Sequence, residues 1–570
     1  IASHGYADGC IYGHALEGNY HFILNQSFKE SKEVERYADM MRDVVALVKS
    51  YDGSLKAEHG TGRNMAPFVK DEWGEDAFRI MQELKDIFDP EHLLNPGVIF
   101  NDDPNCFIEH LKQLPKLDFD FDHLPDGVKY ATAMAARQSS TQEMIEGVRR
   151  ANKCIECGFC EVNCLSCGLT LSSRMRIASQ REIMRLKSTG NPEDMRHARR
   201  LEKLYRYYGN QTCAADGLCA TSCPMKINTG DLTHLLRQNI MDDSPAAYKV
   251  GDFAAKHMRG IENVVRRVLD VANLAHTILG TKTMSAITQA MHKAGVPLWT
   301  PAMPKAHYLH EELLQEAKVA GSDKSGSSDA GQSAGTEPLR FVYFPSCLNQ
   351  TMGLSKGAPV KKTVVGEMVE LARKAHYEVV FPKNMRSLCC GQIWESKGMM
   401  DIADRKTAEL ERALYEASEG GKLPVLCDQS PCLHRMRKMM TRVQLYEPTE
   451  FILKFLKPRL HFHQLHRTVA VHTTCSMREM GLMDDLIELA SLSADKVIVP
   501  EGVGCCGFAG DRGFIHPEMN RYALRHLREE IEANHVEVGY SNSRTCEIGL
   551  QYHSGIPYMS IAYLVNEATD

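Results

Sequence analysis

Ser387-Leu-Cys-Cys-Gly391 and Val503-Gly-Cys-Cys-Gly507 are two copies of one short pattern, and their surroundings repeat as well. The strand-like Phe341-Val-Tyr-Phe344 leads to Cys347, as Val469-Ala-Val-His472 leads to Cys475. Glu378-Val-Val-Phe-Pro382 runs toward Cys389 and Cys390, as Val497-Ile-Val-Pro500 runs toward Cys505 and Cys506. Asp428-Gln-Ser-Pro-Cys432 closes the first half and Ser541-Asn-Ser-Arg-Thr-Cys546 the second. Helical periodicity fills the intervals. The pattern predicts residues 338–570 as a duplicated β-α-β-α-β unit. Its cysteines would sit at the C-terminal ends of strands, where α/β sheets place their ligand sites.

Working toward the N-terminus, residues 321–337 read as a flexible linker, with Gly321–Gly335 almost free of apolar side chains. Residues 141–320 read as a helical domain. Its first part, 141–240, holds two cysteine runs on either side of a basic stretch, Arg174–Tyr208, and 244–315 has amphipathic helical spacing. Arg196, Arg199 and Arg200 read as a solvated helix face, with a docking surface for an electron acceptor as the sharper alternative. Residues 101–140 read as a connecting arm. Residues 1–100 form an α/β unit with strand-like alternation over Tyr6–Ser27 and helices over Lys29–Tyr51 and Lys70–Phe88, the last stopped by Asp89-Pro90.

Composition narrows the function. The 570 residues carry 67 Lys+Arg against 73 Asp+Glu, a net charge of −6. That balance argues against nucleic acid as a partner. No apolar run approaches the roughly 18–20 residues of a membrane span, and a 43% hydrophobic content excludes a disordered chain. The 19 cysteines cluster at 154–167, 213–223, 347–432 and 475–546. This is the grouping of metal clusters in a reducing compartment rather than of a disulfide scaffold. Cys10 and Cys106 stand apart and read as plain buried thiols. The opening IASHGYADGC reaches histidine-rich chemistry at once, which predicts a downstream piece of something longer.

That chemistry is His14-Ala-Leu-Glu-Gly-Asn-Tyr-His21 followed by Glu58-His59-Gly60. Two imidazoles and one carboxylate with an open position form the ligand set of a catalytic divalent metal, which acidifies a bound hydroxyl. His59 follows the carboxylate directly; in an extended segment it points away from the ligand face and is free to act as general base. Asn19 is a neutral donor beside the site. Ordinary polar residues in a turn-rich strand are the competing reading.

Together with Phe88-Asp-Pro-Glu-His-Leu-Leu-Asn-Pro-Gly97, these segments resemble the C-terminal half of FAD-linked D-2-hydroxyacid dehydrogenases of the vanillyl-alcohol-oxidase type. The resemblance implies a metal, zinc or manganese, on His14, His21 and Glu58. It also implies His59 as base, Asn19 on substrate, and Asn95 near a flavin held mainly by an upstream FAD-binding half. Glu17 stands where that family commonly has Asp.

Cys154-x2-Cys157-x2-Cys160-x3-Cys164 has the spacing of a bacterial ferredoxin run. A zinc knuckle is the alternative. The second run, Cys213-x2-Asp216-x2-Cys219-x3-Cys223-Pro224, keeps the spacing with Asp216 in the second slot. In two-cluster ferredoxins the fourth cysteine of each run serves the other cluster. One [4Fe-4S] cluster then takes Cys154, Cys157, Cys160 and Cys223. The other takes Cys164, Cys213 and Cys219, with Asp216 or Cys167 as fourth ligand. Carboxylate is the poorer ligand here, so the second cluster is expected as [3Fe-4S], labile or absent.

The duplicated half resembles the cysteine-rich CCG domains of heterodisulfide reductase and of glycolate and lactate oxidase iron–sulfur subunits. Their usual closing C-x2-C is missing: Cys427-x4-Cys432 is stretched and Cys546 stands alone. Cys347, Cys389, Cys390, Cys432, Cys475, Cys505, Cys506 and Cys546 are therefore either redox or cluster ligands, or reduced thiols lining a pocket.

The expected fold class is α/β and α+β multidomain: a flavoenzyme cap portion, a helical ferredoxin-like domain and a duplicated CCG domain. The module order most resembles bacterial FAD/iron–sulfur D-2-hydroxyglutarate dehydrogenases, with D-lactate dehydrogenases of the same architecture second. This implies oxidation of D-2-hydroxyglutarate to 2-oxoglutarate, with electrons passing through [4Fe-4S] clusters to a quinone or carrier protein. A homo-oligomer in the cytoplasm, in peripheral contact with the inner face of the membrane, is expected. The competing class is a non-catalytic electron-transfer subunit, which has no use for the His/Glu set.

Overall fold

A computed structural model describes residues 1–28, 30–56, 58–111, 115–124, 139–309 and 339–570. The predicted linker at 321–337 lies outside these residues, as does 125–138 of the predicted arm. The chain divides into two compact units, Ile1–Pro115 and Lys116–Asp570.

In the first unit, β1 (Cys10–Tyr12) and β2 (His21–Ile23) pair antiparallel, with Tyr12 opposite His21. The helix Ser31–Ser50 begins with a capping box between Glu30 and Glu33. It buries Ala38, Met41 and Val45, at helical spacing, against Tyr6, Phe68 and Phe107. The helix Val69–Phe88 stops at Asp89, whose buried carboxylate accepts the N–H groups of Leu93 and Leu94, each at 2.9 Å. The Lys85 ammonium at 2.5 Å, helped by those amides, holds the Asp89 carboxyl down at about 2. Cys10 and Cys106 correct the expectation of buried thiols. Cys10 is exposed on β1, and Cys106 is half-buried, its thiol donating to the Arg63 carbonyl at 3.3 Å.

In the second unit, the helices Ser140–Ala151, Ser173–Ser188, Pro192–Tyr205 and Thr229–Asp242 surround the ferredoxin-type runs. Pro245–Lys256 and Met258–His292 follow, the latter kinked at Gly280. A short antiparallel pair joins β3 (Pro304–Ala306) to β5 (Met352–Ser355).

The duplication is visible as two four-stranded parallel sheets. The first has the order β6 (Tyr377–Val380), β4 (Leu339–Phe344), β7 (Pro424–Cys427), β8 (Gln444–Tyr446). The second has the order β10 (Ala494–Ile498), β9 (Leu465–Val471), β11 (Val538–Tyr540), β12 (Tyr558–Met559). In chain order both read second, first, third, fourth. Phe341 to Phe344 of β4 are fully buried, as a strand covered on both faces requires. One core holds Phe341, Leu371 and Leu426 of the first half with Val469, Leu489 and Ile561 of the second. The two third-strand loops meet in a buried polar joint, where Ser430 N–H donates to the Asn542 carbonyl at 3.0 Å and the Asn542 amide to Glu447 at 2.6 Å.

Each half thus has a fourth strand beyond the predicted β-α-β-α-β unit. The third strand lies earlier than Asp428–Cys432: Cys432 sits in the first turn of the helix Ser430–Met439, which Pro431 helps to start, and Cys546 in the helix Arg544–Ser554.

The glycine of each Cys-Cys-Gly is dictated by geometry. Gly391 has φ 90° and a Cβ there would lie 2.4 Å from the Ala403 carbonyl oxygen; Gly507 has φ 73° and would meet Met519 O at 2.6 Å. Backbone is the obstacle in both, so neither clash relaxes by a rotamer change. Gly391→Ala and Gly507→Ala should each cost roughly 2–4 kcal/mol in urea unfolding. A loss below about 0.5 kcal/mol would contradict this assignment.

Candidate metal and iron–sulfur sites

In the first unit the turn after β1 returns the chain as β2 and sets His14 beside His21. Gly13 permits the close return, because a Cβ there would lie 1.9 Å from the Asn19 carbonyl oxygen. The Asn19 side-chain oxygen accepts the His14 N–H at 2.9 Å, so its amide nitrogen is the group it can offer a ligand. Glu58 arrives from a separate loop. His14 Nε2, His21 Nε2 and His59 Nε2 lie 3.2, 3.0 and 3.2 Å from Glu58 Oε1.

One carboxylate oxygen has two lone pairs and cannot satisfy three ring nitrogens. Accordingly His21 Nε2 is buried without a hydrogen bond. The ligand atoms of His14, His21 and Glu58 lie within 4.8 Å of one another, which fits a single divalent cation. Desolvation pushes the Glu58 carboxyl up, but His14, His21 and His59 together bring it below the ordinary value. Tyr12, which sequence reading passed over, stacks on His21 with ring centroids 5.3 Å apart and planes at 12°.

His59 departs from expectation. Its segment bends rather than extends, so its ring turns toward Glu58 and lies 5.1 Å from that of His21. With its side chain 77% exposed against 15% for His21, it occupies the open side of the group. Asn95 sits in a left-handed turn at φ 46°. That loop is tied to the His59 segment where Arg63 Nε donates to the Pro96 carbonyl at 3.1 Å and Ile99 N–H donates to Gly62 O at 3.2 Å.

In the second unit all the cysteines are free thiols. Cys154, of the first run, and Cys223, the last cysteine of the second, pack against the same core. Cys157 is exposed on the intervening loop. Cys164, Cys213, Asp216 and Cys219 line one small cavity. Cys167 is not among its lining residues.

Basic groups from the stretch read as a solvated face reach the interior. Arg196, Arg199 and Arg200 are exposed, but Arg176 and Arg181 are buried. Arg176 Nη1 lies 3.5 Å from Cys164 Sγ. Burial pushes the Cys213 thiol up, and the guanidiniums of Arg176 and Arg237 outweigh it and hold it below its ordinary value. Such fixed positive charge favours an anionic thiolate-ligated cluster.

In the duplicated domain each half gathers its four cysteines in the same order. In the first, Cys389, Cys390 and Cys432 are buried in one core against which Cys347 packs. In the second, Cys505, Cys506 and Cys546 are buried, and the Cys506 thiol donates to Cys546 Sγ at 3.1 Å. Among the described residues no cysteine trio comes as close together as His14, His21 and Glu58 do. A tetrathiolate zinc, with Zn–S near about 2.3 Å, draws its sulfurs closer than that.

Comparison with known proteins agrees with this division. Residues 1–99 match the family described as FAD linked oxidases, C-terminal domain; residues 150–227 match the 4Fe-4S dicluster domain; residues 341–437 and 469–551 match the cysteine-rich CCG domain. The chain is 31% identical over 94 residues to glycolate oxidase subunit GlcD of Bacillus subtilis, covering 16% of this chain and 20% of that one. It is 34% identical over 95 residues to the mitochondrial D-lactate dehydrogenase [cytochrome] of Kluyveromyces lactis, covering 17% and 16%. It is 32% identical over 91 residues to D-2-hydroxyglutarate dehydrogenase of Stutzerimonas stutzeri, covering 16% and 20%. The chain spans about a fifth of the length of these relatives. Among the described residues no helix is long and apolar enough to cross a membrane.

Proposed function

We propose that this chain, which joins an FAD-oxidase C-terminal domain to iron–sulfur and CCG domains, serves the FAD-dependent oxidation of a D-2-hydroxyacid, with D-2-hydroxyglutarate the first candidate. The flavin would be held mainly by an FAD-binding half outside these 570 residues. The observation that carries the reading is the convergence of three imidazole nitrogens on Glu58 Oε1. An electron carrier has no use for it.

His14, His21 and Glu58 would hold the divalent cation, zinc or manganese. The cation would supply Lewis acidity to a substrate hydroxyl, and FAD a two-electron acceptor that one-electron clusters can drain. His59, on the open side, takes the hydroxyl proton on Nε2. The Asn19 amide orients substrate beside it. Cys154, Cys157, Cys160 and Cys223 would hold the first cluster, which would supply one-electron transfer toward a quinone or carrier protein. D-lactate is the second substrate candidate, since relatives of the first unit include D-lactate dehydrogenases.

Metal analysis tests the site. His14→Ala and Glu58→Ala should each lower bound zinc or manganese by more than about tenfold, because losing one of three ligands leaves too few to hold the ion. Unchanged divalent metal other than iron in either variant would remove the site assignment. Flavin bleaching with D-lactate, D-malate and D-2-hydroxyglutarate decides the substrate.

A further inference from the structure

The two ferredoxin-type runs differ in how the arginines beside them are paired. At the first run, Arg174 pairs with Glu161 and Arg181 with Glu156, each at 3.0 Å. Both carboxylates belong to the run itself, Glu156 two residues after Cys154 and Glu161 next to Cys160. The equivalent positions of the second run are Ala215, two after Cys213, and Ala220, next to Cys219.

At the second run two arginines are buried instead, Arg176 at 1% and Arg237 at 5% exposure. Arg176 donates to Gly209 O at 2.7 Å, Ser166 Oγ at 2.7 Å and Thr212 O at 3.2 Å, and its Nη1 to Cys164 Sγ at 3.5 Å. Arg237 donates to the side-chain and carbonyl oxygens of Asn210 at 3.0 Å each, and to Ser396 O and Cys213 O at 2.8 Å each. Among the described residues no carboxylate oxygen lies within 4.0 Å of either guanidinium. That includes Asp216, which lines the cavity together with Cys164, Cys213, Cys219 and Arg176. A buried cation without a counter-anion is costly. The three thiols of the cavity fit an iron–sulfur cluster, and such a cluster is the anion the site can take. Its reduction adds a further negative charge beside Arg176.

We propose that Arg176 and Arg237 give the site of Cys164, Cys213 and Cys219 the higher reduction potential of the two, so that an electron from the first run settles there. Net charge and hydrogen bonds to the ligand sulfurs set a cluster's potential, and Arg176 supplies both. The neutralised pairs of Arg174 and Arg181 leave the first site lower. The runs touch where Asn163 Nδ2 donates to Thr221 Oγ1 at 2.9 Å and to Ser222 Oγ at 2.6 Å. The transfer oxidises the first site by one electron and reduces the second by one; no bond breaks and no proton moves. Arg176 and Arg237 act through the cysteines, as positioning residues. The inference rests on reading both runs as cluster sites, and does not depend on the oxidation of a hydroxyacid.

The test uses the full chain, reconstituted anaerobically with ferrous iron and sulfide, titrated with dithionite and read by EPR. Cys157→Ser and Cys219→Ser assign the two signals. The Cys219 signal is expected at the higher midpoint potential. Arg176→Met and Arg237→Met are each expected to lower it by about tenfold in the one-electron equilibrium, about 59 mV, with the Cys157 signal unmoved. Arg176→Lys keeps the charge and is expected to keep most of the midpoint. Glu161→Gln leaves the second run intact and releases Arg174, so the Cys157 midpoint is expected to rise. That variant decides the matter if the methionine variants assemble no second cluster. The proposal is overturned if the Cys157 midpoint equals or exceeds that of Cys219, or if Arg176→Met and Arg176→Lys shift the Cys219 signal alike. It is also overturned if Glu161→Gln leaves the Cys157 midpoint in place, or if Cys219→Ser removes no signal. Absence of flavin bleaching with every hydroxyacid, with these shifts present, would fail the dehydrogenase reading alone.

Discussion

In the flavin-loaded enzyme, His59→Ala should slow reduction of the flavin by D-2-hydroxyacid by roughly 10²–10⁴-fold, the usual worth of a positioned general base. The variant should fold normally, because the His59 side chain is 77% exposed and its ring contacts only the edge of the His/Glu group. Zinc or manganese content should hold, since His14, His21 and Glu58 remain at their mutual distances. Dithionite should still reduce the iron–sulfur clusters to the wild-type extent, as those lie in the other unit. The contrast with Glu58→Ala is informative: that substitution removes metal and rate together, whereas His59→Ala removes rate alone. Stopped-flow measurement of flavin bleaching separates the two. Normal bleaching in His59→Ala would sink the assignment of the base.

The second large effect concerns stability. Arg435 is fully buried, and five groups receive its guanidinium: the Cys390 carbonyl at 2.9 Å, Thr407 Oγ1 at 3.2 Å, Ser140 Oγ at 3.1 Å, Glu395 at 2.6 Å and Asp404 at 3.0 Å. It fixes the Cys389-Cys390 turn and joins the helix Ser140–Ala151 to the first CCG half. Arg435→Met keeps the bulk but leaves two buried carboxylates unpaired, for which a loss of about 3–5 kcal/mol is expected.

Urea unfolding of the second unit measures it, and pH supplies the sign. Burial pushes the Glu395 carboxyl up, but Arg435 outweighs this and holds it at about 2, below its ordinary value. That contribution is complete above the unfolded carboxyl value and is lost as pH falls toward 2. The gap between wild type and variant should therefore narrow between about pH 4.5 and pH 2. A gap independent of pH would mean that lost packing, not lost charge, causes the destabilisation.

Much of the first unit could be read along the chain. The helix Ser31–Ser50 follows from apolar residues at three- and four-residue spacing, and Asp89-Pro90 marks the stop of the next. The grouping of His14, His21 and Glu58 was legible because the two histidines flank a glycine-bearing turn and few residue types offer such donor atoms. Tyr12 was not, because stacking on His21 depends on strand register, which a three-residue strand does not announce. The fourth strands at Gln444–Tyr446 and Tyr558–Met559 were missed for the same reason: they are too short to carry a period.

The basic stretch shows a different limit. Arg176 and Arg199 belong to equally charged surroundings, yet one is buried against Cys164 and the other faces water. Composition does not distinguish an arginine that stabilises thiolates from one that solvates a helix. Only the carbonyl and sulfur acceptors around it do, and they come from Gly209, Thr212 and Cys164.

By itself the sequence determined the modules, the donor atoms and the duplication, because cysteine spacing and strand periodicity are properties of consecutive residues. The tertiary structure alone decided where donors from distant segments meet. It turned His59 toward Glu58, set Arg435 under the Cys389-Cys390 turn, and brought Arg176 to Cys164. Those meetings depend on how helices pack against the C-terminal ends of two sheets. Packing is driven by the burial of apolar faces that lie far from the polar groups they align, so no local pattern around Arg176 or Arg435 records it.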